Sequence, residues 1–534
     1  MRRVNLCRIL LAAALLTAGC VKVGPDFTPP QATVSQNWLD TGDRRVKTAP
    51  TEDRQWWRAF NDPALDRLIE TAYRENLSLR IAGVRVLEAR AQLGIAVGEW
   101  FPQTQQAFGS LEKIHLSQRA PQAAFSENLR FFQSEVGLRA SWELDFWGKF
   151  RRAIEAADAT LLATVADYDS TLVSLTGDVA SFYVLIRTLE KRLDIARQNV
   201  ESQRESLQLA EAKFRGGTTT QRDVEQAKTL LFNTEATIPA LEIQLRQAKN
   251  ALCVLLGMPP NHLTDLLGGV TGVIPAPPPQ VAVGIPADLL RRRPDIRSAE
   301  LQAAAQCANI GVAKADLFPA FSLAGTFSFQ ASDVATFKLG DMSSWKSRNA
   351  SGGPSFQWDL LNYGRLTNQV RVQDARFQEL VITYQNAVLK AQQEVEDSLV
   401  GFLRSQLRAG LLGESTAAAR RSLDLSVLQY REGTTDFTTV LTAQQALLTE
   451  QDSLAIALGD ISRNLVGVYR ALGGGWQLRE GKDFVPESVK AEMKKRTNWG
   501  RLLTSAAYTL PGGSPGSQER KPEAASPAPS PQQE

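Results

Sequence analysis

The chain is written twice. Trp142-Glu143-Leu144-Asp145-Phe146-Trp147-Gly148-Lys149 returns as Trp358-Asp359-Leu360-Leu361-Asn362-Tyr363-Gly364-Arg365, offset by 216 positions. The same offset relates Phe214-Arg215-Gly216-Gly217-Thr218-Thr219 to Tyr430-Arg431-Glu432-Gly433-Thr434-Thr435, and Leu255-Leu256-Gly257 to Ala471-Leu472-Gly473. Upstream, Phe101-Pro102 and Phe318-Pro319 are offset by 217. A register held across such separated segments marks a duplication, so the fold must be one unit built twice.

Within the first copy, apolar residues recur at steps of four and three from Leu161 through Val165, Tyr168, Leu172, Leu175, Val179, Phe182, Ile186, Leu189, Leu193, Ala196 and Val200. Gln203 is the one exception before Leu207, Ala210 and Phe214. A sustained 3.5-residue seam is the pattern of a coiled coil. Gly148 to Phe214 is 67 residues, about 100 Å of helix at 1.5 Å per residue. Gly216-Gly217 reads as a C-terminal cap and turn, after which Val224, Ala227, Leu231, Thr234, Ile238, Leu241, Leu245, Ala248, Leu252 and Leu255 carry the spacing back on a second helix. Pro239 is expected to kink or interrupt that return. The second copy repeats the arm from Gly364 to Tyr430, with a seam that includes Ala391, Ser398, Ser405, Ala409, Thr416, Ala419 and Ser426. Such small residues fit either a weak solvated coiled coil or an arm packed closely beside neighbours around a wet lumen.

Ahead of each arm the period changes to two. Val136, Leu138, Ala140, Trp142 and Leu144 alternate with Glu135, Gly137, Arg139, Ser141 and Glu143. Phe321, Leu323, Gly325, Phe327 and Phe329 alternate with Ser322, Ala324, Thr326 and Ser328, and Pro354 to Leu360 and Gln103 to Leu116 give two further strands. Strands with one apolar and one polar face fit a membrane barrel, although soluble hairpins share the alternation. Charges are then expected to be tolerated at Ser141 and Ser328 but not at Val136, Leu138, Phe327 or Phe329. Four strands are too few to close a barrel, since the smallest use about eight, so a barrel here requires an oligomer.

The N-terminus places Arg2, Arg3 and Arg8 before the apolar run Ile9 to Leu16, the order of a secretory signal. Leu16-Thr17-Ala18-Gly19-Cys20 resembles a bacterial lipobox, which makes Cys20 the first residue of the mature chain and the site of a covalent lipid; the alternative is an ordinary signal beside a stray cysteine. Val21, not aspartate, follows, as in lipoproteins sorted to the outer membrane. No later stretch is free of charges over the ~20 residues a spanning helix needs, so a membrane crossing would use strands. Losing residues 1–19 takes three arginines from 60 Lys+Arg, leaving 57 against 57 Asp+Glu. That balance argues against nucleic acid as a partner. With only His115 and His262, no Cys-x-x-Cys, no Gly-x-Ser-x-Gly and no Walker motif, neither a catalytic nor a metal constellation is present in the sequence.

These segments resemble the TolC/OprM-type outer-membrane efflux channels, in their lipoprotein branch, from about Cys20 to Leu478. The match includes Gly24-Pro25-Asp26-Phe27, Trp56-Trp57 with Phe60 and Asp62-Pro63, and Leu289-Leu290-Arg291-Arg292-Arg293-Pro294-Asp295-Ile296. The resemblance implies a mixed α/β membrane protein in which a homotrimer forms a twelve-stranded barrel continued by a periplasmic α-helical tunnel. It implies no cofactor beyond the lipid on Cys20, and as partners outer-membrane lipid, a periplasmic adaptor and an inner-membrane pump. The expected organisation is a signal at 1–19, a lipidated extended segment at 20–61, a first repeat at 62–257, a linker at 258–285, a second repeat at 286–473, a periplasmic segment at 474–504 and a disordered tail at 505–534. By the same resemblance Gly216, Gly217, Thr218, Gly433 and Thr434 are assigned to adaptor docking. The acidic positions that narrow the family's entrance fall on Thr439 and Thr442, with Asp223 and Gln226 in the first copy, so weaker cation selectivity is expected. Efflux of drugs or other small molecules is the expected function; a type I secretion duct or a structural coiled-coil envelope lipoprotein are the alternatives.

Overall fold

A computed structural model describes residues 22–49, 53–119, 121, 129–288, 292–334 and 338–504. Cys20 and the first part of the Leu289 to Ile296 motif lie outside the described residues, as does the segment beyond Thr504. The chain divides into two units, residues 1–484 and 485–534.

Among the described residues the first unit begins with an irregular segment from Lys22 that passes through turns into the short strand β1 (Val46–Lys47). There follow α1 (Pro63–Glu75), α2 (Leu77–Glu99), β2 (Thr104–His115), β3 (Arg130–Leu144), α3 (Lys149–Arg215) and α4 (Gln221–Leu255). After β4 (Val281–Ala282) the plan repeats as α5 (Pro294–Ala315), β5 (Ala320–Ser332), β6 (Arg348–Gln357), α6 (Arg365–Arg431) and α7 (Phe437–Ala471). The two long helices are each 67 residues and the two return helices each 35, so the repeat in sequence is a repeat in structure. In the second unit α8 (Glu487–Arg496) ends in Lys494, Lys495 and Arg496, cations that complement the negative end of a helix.

Local chemistry sets the boundaries. Asp62 accepts from the Ala64 N–H at 2.9 Å and Pro63 supplies the pre-set φ of a first helical residue. Both long helices begin one residue later than the glycine that precedes them, because Gly148 and Gly364 adopt left-handed φ of 76° and 82° to turn strand into helix. Asp145 supplies the missing cap, accepting from the N–H groups of Phe150 and Arg151 at 3.0 and 3.2 Å. Pro239 does not interrupt α4, which runs through it to Leu255.

Burial separates the long helices. In α3, 29 residues are buried, among them seam positions from Tyr168 to Ala210; Gln203, the apparent exception, is buried too, and Phe214 is exposed. In α6 only 12 are buried. The most apolar part of α3 is thus consumed by packing within the fold. β1 and β4 pair in parallel, and the other four strands form a separate sheet in the order β2-β3-β5-β6, antiparallel throughout. β6 begins earlier than its alternation suggested and ends at Gln357; Trp358 instead donates its indole N–H to Leu317 O at 3.0 Å, as Trp142 does to Trp100 O at 3.1 Å in the first copy.

Candidate functional site

Three surfaces carry the chemistry read from the sequence: the N-terminal segment, the sheet and the hairpin tips. Cys20 itself lies outside the described residues, but the chain two residues on is fixed. The Val23 N–H donates to Trp147 O at 3.0 Å, at the junction of β3 with α3. Arg152, whose side chain is 1% exposed, donates to Val23 O and Gly24 O at 3.1 Å each and to Asp26 at 2.8 Å. Gly24, at φ 96°, packs directly on Gly311, where no side chain fits. The segment then follows α6, exchanging hydrogen bonds with Gln385, Gln392 and Glu396.

Strand register sorts the sheet into two faces. One carries Leu111, Val136, Leu138, Leu323, Phe327 and Phe356, each at least 40% exposed. The other carries Gln106, Glu112, Glu135, Arg139, Thr326 and Ser351, and there Arg139 donates to Gln106 at 2.8 and 2.6 Å. Water contact is unfavourable for the first face and favourable for the second. One expectation fails here: Ser328 is fully buried, because it packs on Gly137 of the neighbouring strand, so a charge at Ser328 has no room. Ser141 is only partly covered.

At the tips, α3 and α6 end in the same way. Gly217 and Gly433 both stand at φ 75°. Thr218 N–H reaches Lys213 O at 2.9 Å and Gly217 N–H reaches Phe214 O at 3.0 Å; Thr434 and Gly433 make the equivalent bonds to Gln429 O and Tyr430 O at 3.0 and 3.2 Å. This paired closure requires a left-handed residue, which glycine supplies without steric cost. Gly216 has an ordinary helical conformation and its counterpart is Glu432. Beneath the tips, Ala210, Val224, Ala227, Leu423, Tyr430, Phe437, Val440, Ala443 and Leu447 form one core, so both tips rest on shared packing.

The four entrance residues are not equivalent. Asp223 is 8% exposed and closes a capping box, accepting from Thr219 Oγ1 at 2.7 Å and from Thr220 N and Oγ1 at 3.2 and 2.9 Å. Burial pushes its carboxyl up, yet these hydrogen bonds outweigh burial and hold it below the usual carboxylate value. Gln226 is half-buried on the next turn. In the second copy Asp436 is the cap, accepting from Thr439 N and Oγ1 at 3.2 and 2.9 Å, and Thr439 and Thr442 are exposed. Carboxylate and hydroxyl have exchanged places between the copies: Thr220 and Asp223 correspond to Asp436 and Thr439.

A further set of contacts escaped the sequence reading. α3 meets the second hairpin through Asp178–Arg470 (2.9 Å), Arg192–Asp452 (2.7 and 3.0 Å), Asn199–Gln451 (2.7 Å) and Ser206–Gln444 (2.8 Å). Lys213 ends the series, donating to Tyr430 O and Arg431 O with its ammonium 4.5 Å from the Tyr430 ring centre. Arg192, Asn199, Ser206 and Lys213 are spaced by seven, one residue ahead of the apolar seam, and that period was the available signal.

Comparison with known proteins gives similarity over the same span. A family model described as outer membrane efflux protein matches residues 68–258 and 285–474. The pyoverdine export outer membrane protein OpmQ of Pseudomonas putida is 31% identical across 89% of this chain and 98% of its own length. The probable outer membrane lipoprotein SilC of Salmonella typhimurium is 28% identical across 87% and 98%. Among solved structures, the outer-membrane channel OprN aligns with a TM-score of 0.79 at 33% identity, covering 85% of this chain and 100% of that one.

Proposed function

This chain belongs to the outer membrane efflux protein family, and from that premise we propose that it is the outer-membrane channel subunit of a tripartite efflux system, conducting small molecules passively to the exterior. Three copies contribute four strands each to a twelve-stranded barrel, with the helical hairpins continuing it as a tunnel in the periplasm. The observation that carries this reading is what a single chain leaves uncovered. The apolar face of the sheet is exposed, and α6 displays Leu389, Leu407, Leu411 and Leu425, each more than half exposed. Lipid covers the first surface and neighbouring copies the second, since isolated chains rarely leave so much apolar area in water. A purely structural coiled-coil lipoprotein would account for the helices but not for that sheet.

Cys20 carries the lipid, supported by its lipobox and by the fixed course of the chain from Lys22 beside the strand-to-helix junction. Gly216, Gly217, Thr218, Gly433 and Thr434 present the adaptor-docking surface, and the adaptor links the channel to an inner-membrane pump. Asp223, Gln226, Thr439 and Thr442 border the entrance. The test is reconstitution of the purified full-length protein in planar bilayers, paired with photo-crosslinking in cells from Thr218 and Thr434. A heat-dissociable trimer giving discrete conductance steps, and crosslinks to one periplasmic adaptor, are expected. A monomer that gives no conductance would overturn the channel reading, and tips that crosslink nothing would overturn the docking assignment.

A further inference from the structure

The apolar face of the sheet changes character at the end farthest from the helices. There β2 finishes and β3 begins, with His115 opposite Arg130 and Lys113 opposite Phe132 in register. Side chains directly opposite in such a pair stand about 5 Å apart at Cβ, so three nitrogen-bearing groups gather on one outward patch. Arg130 Nε donates to His115 Nε2 at 3.3 Å, and the Lys113 ammonium lies 5.3 Å from the centre of the Phe132 ring. Lys113, His115, Arg130 and Phe132 are all exposed. Within the four strands this face holds no acidic residue, because Glu112, Glu135 and Glu143 point to the other side by register. Just beyond β5, the Asp333 carboxylate accepts from the Phe132 N–H. Farther across the same face Arg348, opposite Phe329, sits 5.0 Å over the Trp345 ring.

We infer that Lys113, His115 and Arg130 bind the phosphate of a phosphorylated lipid headgroup in the outer leaflet. The inference rests on the channel reading for its orientation, which puts this end of the sheet at the outer surface. Three features select the ligand. The patch is cationic with donors to spare, as phosphate recognition requires. It continues the face that carries Leu111 and Leu138, so the same molecule can place acyl chains on the apolar rungs and its headgroup on the basic ones. Phe132 lies at the boundary where aromatic side chains flank the apolar band of membrane barrels, and the aliphatic stem of Lys113 can lie along lipid while its ammonium reaches the headgroup. Proximity to hydrocarbon lowers the local dielectric and strengthens each ion pair with phosphate.

The test uses the full-length oligomer in detergent, delipidated and then offered diphosphoryl lipid A or its dephosphorylated form, with retention read by native mass spectrometry. Wild type should retain the phosphorylated lipid at least fivefold better. Lys113→Gln/Arg130→Gln should erase that preference, and Lys113→Arg should keep most of it. Conductance of the same samples is measured in parallel, so a failed channel reading shows itself as absent conductance in wild type, separately from lipid preference. Equal retention of both lipids by wild type, or an unchanged preference in an assembled double variant, would overturn the inference. Displacement of the bound lipid by millimolar inorganic phosphate would identify a free-anion site and overturn the lipid assignment. If the double variant does not assemble, Lys113→Gln alone decides: it must lose at least half of the preference, and full retention of it refutes the site.

Discussion

Asn76 and Arg293 occupy corresponding positions in the two copies and perform one task with different chemistry. Asn76 Nδ2 donates to Leu255 O at 2.9 Å and Arg293 Nη1 donates to Ala471 O at 2.9 Å, each satisfying the last carbonyl of its own return helix. Arg293 also pairs with Asp295 and Glu394, both at 2.7 Å. Removing Arg293 therefore strands two carboxylates as well as a carbonyl. Because both carboxylates are partly exposed, Arg293→Ala should cost about 2–3 kcal/mol rather than the full loss of a buried pair. Asn76→Ala, which removes an N-cap and one carbonyl contact, should cost about 1–2 kcal/mol. Thermal unfolding of the two variants should rank them in that order.

At the tips, the left-handed conformation decides which glycine matters. Gly217→Ala and Gly433→Ala should each destabilise the end of a long helix by about 1–2 kcal/mol, although neither added Cβ would meet another atom. Gly216→Ala should be neutral or slightly stabilising, since alanine is the better helix former. Hydrogen exchange at Ala212 to Thr218 and at Leu428 to Thr434 separates the three.

Leu138→Arg on the apolar sheet face should lower assembly by about 2–4 kcal/mol if it lies near the bilayer midplane. Ser141→Asp should assemble normally. Ser328→Asp should fail despite its polar-face register, because its side chain is sealed against Gly137. Trimer yield in detergent gives the comparison.

The Asp223 carboxyl has its pKa lowered in the fold from an ordinary value of 3.8. A depressed carboxyl contributes stability above its unfolded pKa and loses it as pH falls through the folded one. The wild-type tip should thus weaken below about pH 4, and Asp223→Asn should be weaker at neutral pH but show a flatter profile. Proteolytic nicking of the Gly216 to Thr220 turn, followed from pH 6 to pH 3 with an acid-active protease, reports the difference.

Thr439 is exposed at the start of α7. Thr439→Asp should raise cation preference, read as a larger reversal potential in bilayers under a salt gradient. An unchanged potential would remove Thr439 from the constriction.

How much of this was legible in the sequence differs by element. The long arms were readable because 67 residues of unbroken period leave no competing structure, and their starts slipped by one only because Gly148 and Gly364 are caps, not helix. β6 was misplaced since Gly352, Gly353 and Pro354 conceal the alternation and the strand's earlier half is polar. Asp223 looked like a lining group; its role as a cap depends on the hydroxyls of Thr219 and Thr220 turning toward it, which spacing alone does not fix. Lys213 and Arg152 find their partners 217 and 126 residues away, distances at which one sequence gives no pairing information.

The exchanged cap at the two tips has a geometric consequence. At the first tip the Asp223 carboxylate is sheltered inside its turn, while at the second Glu432 and Asp436 both stand in water. Three chains about an axis would set out six tips that match in backbone yet alternate in surface charge. A docking body with strict sixfold repetition would meet two unlike sockets in turn, whereas one that repeats every 120° would meet the same socket each time.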